Sequence, residues 1–244
     1  MKALEIDDSI AEAYASLGYI YGEQLEWAAA EASLKRAIEL KPGYATAHHW
    51  YALNLVQRGR FPEANAEVHR ALELDPLSSA VNGLLGAILN FEGRYDEAIA
   101  HLERTVQMDP GFARTHLILA EAYAFSGRYD RALAEVEKAA ELSDEPGSLA
   151  DLGFVHAMAG RRPQALQVVQ DLMDRQSRNQ DGSAGALAIV YAGLGDRNQA
   201  FKWLERSRTL LDPVIGELKV DPRLDKLRDD PRLAKLLATV GLAQ

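Results

Sequence analysis

Three prolines divide the first half of the chain into equal intervals. Pro42, Pro76 and Pro110 are 34 residues apart, and the segments that they close align without gaps. A fixed period of this length is typical of stacked helical hairpins, because each hairpin needs its neighbours to cover its apolar surface. The period therefore predicts an extended array of repeats rather than one globular core.

Each repeat encodes two helices, as the second copy illustrates. Ala47, Tyr51 and Leu55 recur at helical spacing and therefore share one face of a first helix. Gly59 ends this helix, since glycine adopts the left-handed cap conformation without strain. A second apolar stripe follows, and Pro76 ends it because the residue before a proline leaves the helical region. Small residues at the crossing of the two helices predict close packing within each hairpin.

The repeats resemble the tetratricopeptide repeat (TPR), which has the same period. In the second copy the residues that carry the resemblance are Tyr51-Ala52, Leu55, Ala64, Val68, Ala71 and Pro76. The resemblance implies an all-α fold, a right-handed superhelical solenoid of helix-turn-helix repeats with a C-terminal capping helix. The expected divisions are the end of a truncated preceding repeat at 1–10, TPRs at 11–44, 45–78, 79–112 and 113–145, a divergent TPR at 146–180, a sixth at 181–214 and a helical cap at 215–244. The first division is interpreted as part of a repeat cut from a longer protein or as a short natural extension.

The C-terminal segment contains two helix starts, Asp221-Pro222 and Asp230-Pro231, each with proline in the first turn. The leucines that follow them form one apolar stripe, which predicts an element that seals the last repeat. Segments 218–224 and 227–233 are similar to the ends of TPR tails that follow winged-helix regulators, serine/threonine kinases and nucleotide cyclases in bacteria. This resemblance implies a regulatory or sensory tail of a signalling protein.

The composition argues against several classes of partner. The formal net charge is −9, which disfavours binding to the phosphates of DNA or RNA and to anionic membrane surfaces. No run of residues approaches the ~20 apolar residues that a membrane span needs. The chain has no cysteine, so disulfides and thiolate chemistry are excluded. We therefore expect a cytoplasmic protein that binds neither nucleic acid nor membrane.

Motifs for catalysis and cofactor binding are missing from the sequence. The segment before Ser183 lacks the glycine of a nucleophile elbow, and Gly193-Leu194-Gly195 lacks the third glycine of a dinucleotide fingerprint. His48 and His49 are adjacent and point about 100° apart on a helix. The other histidines have no histidine partner three or four residues away. We expect no enzymatic activity, no cofactor and no metal site.

In TPR proteins the first helix of each repeat lines a concave groove. Carried over to this chain, the resemblance implies a partner-binding groove lined by Tyr19, His49, Leu53, Asn90, Phe91, Arg114, Glu121, Phe125 and Phe154. Apolar side chains clustered on one face favour recognition of a partly apolar peptide or helix. The alternative is that the aromatic members of this set fill the interior of the superhelix against neighbouring repeats.

Two functions agree with these features. The first is a non-catalytic protein–protein interaction module that binds a peptide or helix in the concave groove. The second is a structural scaffold that self-associates and holds an attached effector in a homo-oligomer. Candidate contacts for the second function are Tyr191, Trp203 and the leucine stripe of the tail.

Overall fold

The computed structural model of the chain describes residues 9–143, 146–178 and 183–243. Most of the expected partial repeat at 1–10 lies outside the described residues. Within those ranges every regular element is a helix, so the prediction of an all-α fold is confirmed. In the same part of the chain, no helix combines the length and the apolar character that crossing a lipid bilayer requires.

The helices pack in consecutive pairs. In chain order they are α1 (Ala11–Glu23), α2 (Trp27–Leu40), α3 (Ala45–Gln57), α4 (Phe61–Leu74), α5 (Ser79–Phe91), α6 (Tyr95–Met108), α7 (Ala113–Phe125), α8 (Tyr129–Leu142), α9 (Pro146–Met158), α10 (Arg162–Ser177), α11 (Ser183–Gly193) and α12 (Arg197–Leu210). The tail adds α13 (Val214–Glu217), a 3₁₀ helix (Pro222–Leu227) and α14 (Pro231–Thr239). Odd-numbered helices from α1 to α11 are the first helices of the pairs, and even-numbered helices from α2 to α12 are the second.

Two of the helix pairs pack closely because a glycine, which has no side chain, stands where the helices cross. A Cβ atom on Gly18 would lie 2.5 Å from Cγ of Leu34, and one on Gly86 would lie 2.3 Å from Cδ2 of Leu102. Contacts this short are impossible without moving a buried leucine. The glycines thus let α1 pack on α2, and α5 on α6, at the distance that the repeat requires.

Histidine side chains connect two of the repeats to the repeats before them. His48 lies with Nδ1 2.6 Å from a carboxylate oxygen of Glu67 and with Nε2 3.0 Å from the carbonyl oxygen of Pro42. Both partners are acceptors, and the Glu67 carboxylate raises the pKa of His48, so the ring is favoured in its charged form with both nitrogens donating. His116 makes the same two contacts two periods further on, to Glu135 and to Pro110. These histidines therefore connect consecutive helical hairpins.

The turn between the two helices of a pair contains a residue with positive φ, and this residue is glycine in every described pair except the first. The glycines at five of these turns have φ between 72° and 78°; they are Gly59, Gly93, Gly127, Gly160 and Gly195. The corresponding residue of the first pair is Leu25, whose φ is 62°. A non-glycine residue in this region is strained by about 1–3 kcal/mol. Leu25 packs against the apolar cluster that the C-terminal helices form, and this contact offsets part of the strain.

The tail returns from the last repeat to the first two. Gly216 lies against the side chain of Gln57 at the end of α3. Val220 joins the apolar cluster of α2 to α5, next to Gly59. Further along, the indole N–H of Trp27 donates a 2.7 Å hydrogen bond to the carbonyl oxygen of Val240, the residue that directly follows α14. The tail seals the last repeat as expected, and it also closes the array onto its beginning.

Candidate functional site

An apolar cavity of about 210 Å³ opens on the concave side between α3, α5 and α7. Four of the residues predicted for the groove line it, namely His49, Leu53, Phe91 and Arg114. The remaining wall consists mostly of aliphatic side chains from the same three helices. Burial lowers the pKa of His49, so its imidazole is favoured in the neutral form. The cavity is therefore an apolar surface with one cationic residue, Arg114, at its edge.

We call residues 213–228 the C-terminal strap, because they cross the concave side. Four strap side chains are completely buried, and these are Ile215, Leu218, Leu224 and Leu227. Full burial of such a side chain is worth about 1.5–3 kcal/mol relative to exposure. On this scale the strap is a fixed wall of the groove and not a loosely held segment.

The strap places one arginine among acidic side chains from α7, from α9 and from the strap itself. Arg223 donates from Nη1 to Asp151 at 2.7 Å, and the same atom lies 2.8 Å from a carboxylate oxygen of Glu121. Its Nη2 donates to Asp221 at 2.8 Å. Burial raises the pKa of Glu121 to about 8, and the nearby Asp151 and Asp221 act in the same direction while Arg223 opposes them. The single positive charge of Arg223 therefore cannot balance all of these carboxyl groups in their ionised form.

Glu217 of the strap stands at the edge of this cluster and also lines the apolar cavity. Its carboxylate is 3.7 Å from Nη2 of Arg223 and 3.9 Å from Nη2 of Arg114, distances beyond hydrogen-bond range. Among the described residues its side chain accepts no hydrogen bond, although it is only 18% exposed. Burial raises its pKa. The Glu217 carboxylate therefore has hydrogen-bonding capacity that the chain does not use.

A second cavity, of about 280 Å³, lies behind Glu217 and Arg114, which line both cavities. Its other charged lining residues are Asp151, Asp212 and Arg223. Asp212 accepts hydrogen bonds from the backbone N–H groups of residues 185 and 214, at 3.0 and 3.4 Å. In the described ranges no group of three histidine, aspartate or glutamate residues is arranged to hold a metal ion. We call the two spaces the apolar cavity and the acidic cavity.

Two residues predicted for the groove do not face it. Asn90 is completely buried and donates from Nδ2 to the carbonyl oxygen of Ile118 at 3.0 Å, so it links α5 to α7. Phe154 is also buried, because it fills the space above Gly193 in the C-terminal core. For Phe154 the interior packing that we gave as the alternative is correct. Contacts with a neighbouring helix therefore occupy both side chains, and neither is available to a ligand of the groove.

The remaining predicted residues lie outside the apolar cavity. Tyr19 is exposed and its ring packs on Trp50, with centroids 5.0 Å apart. Phe125 lies 5.3 Å from Tyr95 and is half-buried. Glu121 belongs to the Arg223 cluster described above. The structure therefore brings four predicted residues together in the apolar cavity, places Tyr19, Phe125 and Glu121 outside it, and buries the other two.

Sequence reasoning missed the strap as part of the site. We interpreted Asp221-Pro222-Arg223 as a helix start in a cap, and its local structure gave no reason to place Arg223 in the groove. One signal was available within the repeats themselves. Glu121 occupies the position that Ala87 and Leu53 occupy one and two periods earlier. An acid at an otherwise apolar concave position indicates a basic partner there.

The contacts proposed for self-association are also mostly used inside the chain. Trp203 is buried in the C-terminal core, together with Leu233 and Leu236 of the tail stripe. Tyr191 is half-buried against the same core. Tyr191 and Leu237 are the members of this set that remain partly exposed.

Family models described as tetratricopeptide repeat match residues 15–78, 52–111, 92–146 and 146–171. Together these matches extend over 15–171, which is more than half of the chain. None of the matching models describes an enzyme. A search of curated proteins gave no significant match.

Solved structures of bacterial TPR proteins share the fold. Pseudomonas aeruginosa pilF is 21% identical with a TM-score of 0.58, and the match covers 86% of this chain and 96% of that one. PilW, a type IV pilus biogenesis factor, is 17% identical with a TM-score of 0.63, covering 89% and 98%. A thermophilic TPR protein of Thermus thermophilus is 21% identical with a TM-score of 0.65, covering 72% and 98%. At these identities the likeness shows the architecture alone.

Proposed function

The chain belongs to the tetratricopeptide repeat family, and we propose that it is a non-catalytic interaction module that binds a partly apolar peptide or helix on its concave side. The apolar cavity beside Leu53 and Phe91 is the observation that carries this proposal. Its walls come from three different first helices, and they remain open although the strap crosses the same face. An open apolar pocket with few polar groups is typical of a binding site.

The size of the cavity limits what enters it. A cavity of about 150 Å³ holds a benzene ring, so the 210 Å³ here accommodate one large aliphatic or aromatic side chain. The rest of the ligand lies along the groove. Single buried anchors of this kind carry much of the binding energy at protein interfaces.

We further propose that binding serves a regulatory or sensory role in a bacterial signalling protein. Support comes from segments 218–224 and 227–233, which are similar to the ends of TPR tails in such proteins. The first of these segments lies within the strap, which forms one wall of the groove. A cytoplasmic location is part of this proposal and is supported by the absence of cysteine.

A displayed library of random nine-residue peptides, selected on the wild-type chain, tests the proposal. Selected peptides are then titrated by calorimetry against the wild type and against Leu53→Asp, which puts a charge into the apolar cavity. We expect at least a tenfold loss of affinity, because burying an unpaired carboxylate is costly. Leu77→Asp is the matched control, since Leu77 is 74% exposed and lines neither cavity. Equal affinities for the wild type and Leu53→Asp would place binding elsewhere.

A further inference from the structure

We propose that the ligand of the groove carries a basic side chain next to its apolar anchor, and that this lysine or arginine enters the acidic cavity beside Glu217. This inference rests on the proposed function, because it names the chemistry of the same ligand. The anchor fills the apolar cavity, and the cation occupies the neighbouring one. The ligand class is therefore a peptide with a large apolar residue and a basic residue a few positions apart.

The two cavities form one continuous binding surface. Arg114 from α7 and Glu217 from the strap line both of them. A ligand that fills the apolar cavity therefore already touches the entrance of the acidic one. Their volumes, about 210 and 280 Å³, suit one apolar and one long polar side chain.

The balance of charge favours a cationic group in the second cavity. Asp151, Asp212 and Glu217 line it together with two cationic residues, Arg114 and Arg223. Arg223 is 11% exposed and forms closer ion pairs with three other carboxylates than with Glu217. Arg114 stands at the edge with a 59% exposed side chain, and its charge offsets part of the negative charge of Glu217. The lining therefore has more acidic than basic residues, which favours a lysine or arginine of the ligand and disfavours an acidic one.

Glu217 provides the specific contact. It is mostly buried, its nearest cationic nitrogens are 3.7 and 3.9 Å away, and its side chain accepts no hydrogen bond in the described part of the chain. Its oxygens still contact solvent, so a charged donor of a ligand can reach them. An ammonium or guanidinium group supplies the missing donors in a charge-assisted bond. The strap thus contributes a residue that determines specificity.

The test uses peptides selected on the wild-type chain from the library described above. We expect lysine or arginine to be enriched at a fixed spacing from a large apolar residue. Replacing that basic residue by norleucine should weaken binding to the wild type at least tenfold. The same replacement should cost less than threefold on Glu217→Gln, which keeps the shape of the side chain and removes its charge. Glu39→Gln is the control, since Glu39 is exposed on α2 and faces neither cavity.

The outcomes separate this inference from the proposed function. If the peptides depend on Leu53 but show no basic preference, and norleucine binds as well as lysine, the groove function stands and the cationic ligand is wrong. If no peptide binds in a manner that depends on Leu53, both proposals fail. The norleucine comparison is made on the wild-type chain, so it remains decisive even if Glu217→Gln is poorly folded.

Discussion

The tail contains the same four residues twice, and the two copies fold alike in different surroundings. They are Asp221-Pro222-Arg223-Leu224 and Asp230-Pro231-Arg232-Leu233. In each copy the aspartate accepts a hydrogen bond from the backbone N–H of the arginine, at 2.8 Å in the first and 3.0 Å in the second. It also pairs with the same arginine's Nη2, at 2.8 Å in both copies. Local sequence therefore determines the aspartate cap and its arginine clamp.

Tertiary position determines what each arginine does. Arg223 enters the groove and binds Asp151 and Glu121. Arg232 is 44% exposed, lies 4.3 Å from the ring centroid of Phe201 and donates to the side chain of Asn198 at 2.9 Å. The comparison shows that one motif can supply a buried charge network in one place and a surface contact in another.

The largest expected difference between the copies is in the arginines. Arg223→Ala leaves several acidic side chains buried without their cation, which typically costs about 3–5 kcal/mol. Arg232→Ala removes a surface pair, which is worth up to about 1 kcal/mol. Urea unfolding of both variants measures the contrast. Similar losses for the two would mean that Arg223 is not buried in the groove.

The leucines of the two copies should behave alike. Leu224 and Leu233 are 0% and 2% exposed. Truncation of a buried leucine to alanine costs about 2–5 kcal/mol through lost transfer energy and the cavity left behind. We expect both variants to lose stability within this range in the same unfolding experiment. A much smaller loss for Leu224→Ala would show that the strap is less firmly packed than α14.

The contact between α14 and the first repeat should be worth less. Trp27→Phe keeps an aromatic ring but removes the indole N–H that donates to the carbonyl of residue 240, together with part of the buried ring system. Loss of one buried hydrogen bond with an acceptor left unpaired costs about 1–3 kcal/mol. Amide hydrogen exchange in residues 231–242 should become faster as this end of the chain loosens. Trp50→Phe is the control, and unchanged exchange in Trp27→Phe would contradict closure of the array.

The two copies also differ in how nearby carboxyl groups respond to pH, and the two responses have opposite signs. The pKa of Glu121, beside Arg223, is raised to about 8 from an ordinary 4.5, mainly by burial. A raised carboxyl pKa stabilises the fold at low pH, and this contribution is lost as pH rises from about 4.5 through 8. Glu121→Gln should therefore flatten the dependence of the unfolding free energy on pH across this window. Urea titrations at pH 5 and pH 8.5 measure the change, and parallel losses in wild type and variant would contradict it.

Asp230 in the second copy shows the opposite direction. Its hydrogen bond from Arg232 lowers its pKa to about 2 from 3.8. A lowered carboxyl pKa contributes stability above pH 4 that is lost as pH falls toward 2. Because its partner Arg232 is 44% exposed and asparagine keeps the cap acceptor, Asp230→Asn should change stability only slightly, and the pH-dependent part should disappear at acidic pH.

Features that repeat locally could be predicted from the sequence. The hairpins, the turn glycines such as Gly59 and the close packing at Gly18 follow from spacing and side-chain size within one or two repeats. The position of Arg223 could not be predicted, because its partner Asp151 lies 72 residues earlier in the chain. Asn90 and Phe154 are likewise buried by residues of later helices, Ile118 and Gly193. A leucine at position 25, where other repeats have glycine, was the one local sign that the first turn meets another part of the chain.

Proximity between the first repeat and the tail is measured most directly by nuclear Overhauser effects in the unmodified chain. The indole proton of Trp27 can be assigned by comparison with Trp27→Phe, since the chain has three tryptophans. We expect cross-peaks from this proton to Val240 and Gly241, together with slow exchange against D₂O. A rapidly exchanging indole proton without cross-peaks to residues 240–241 would mean that the array is open and that the tail does not return across the groove.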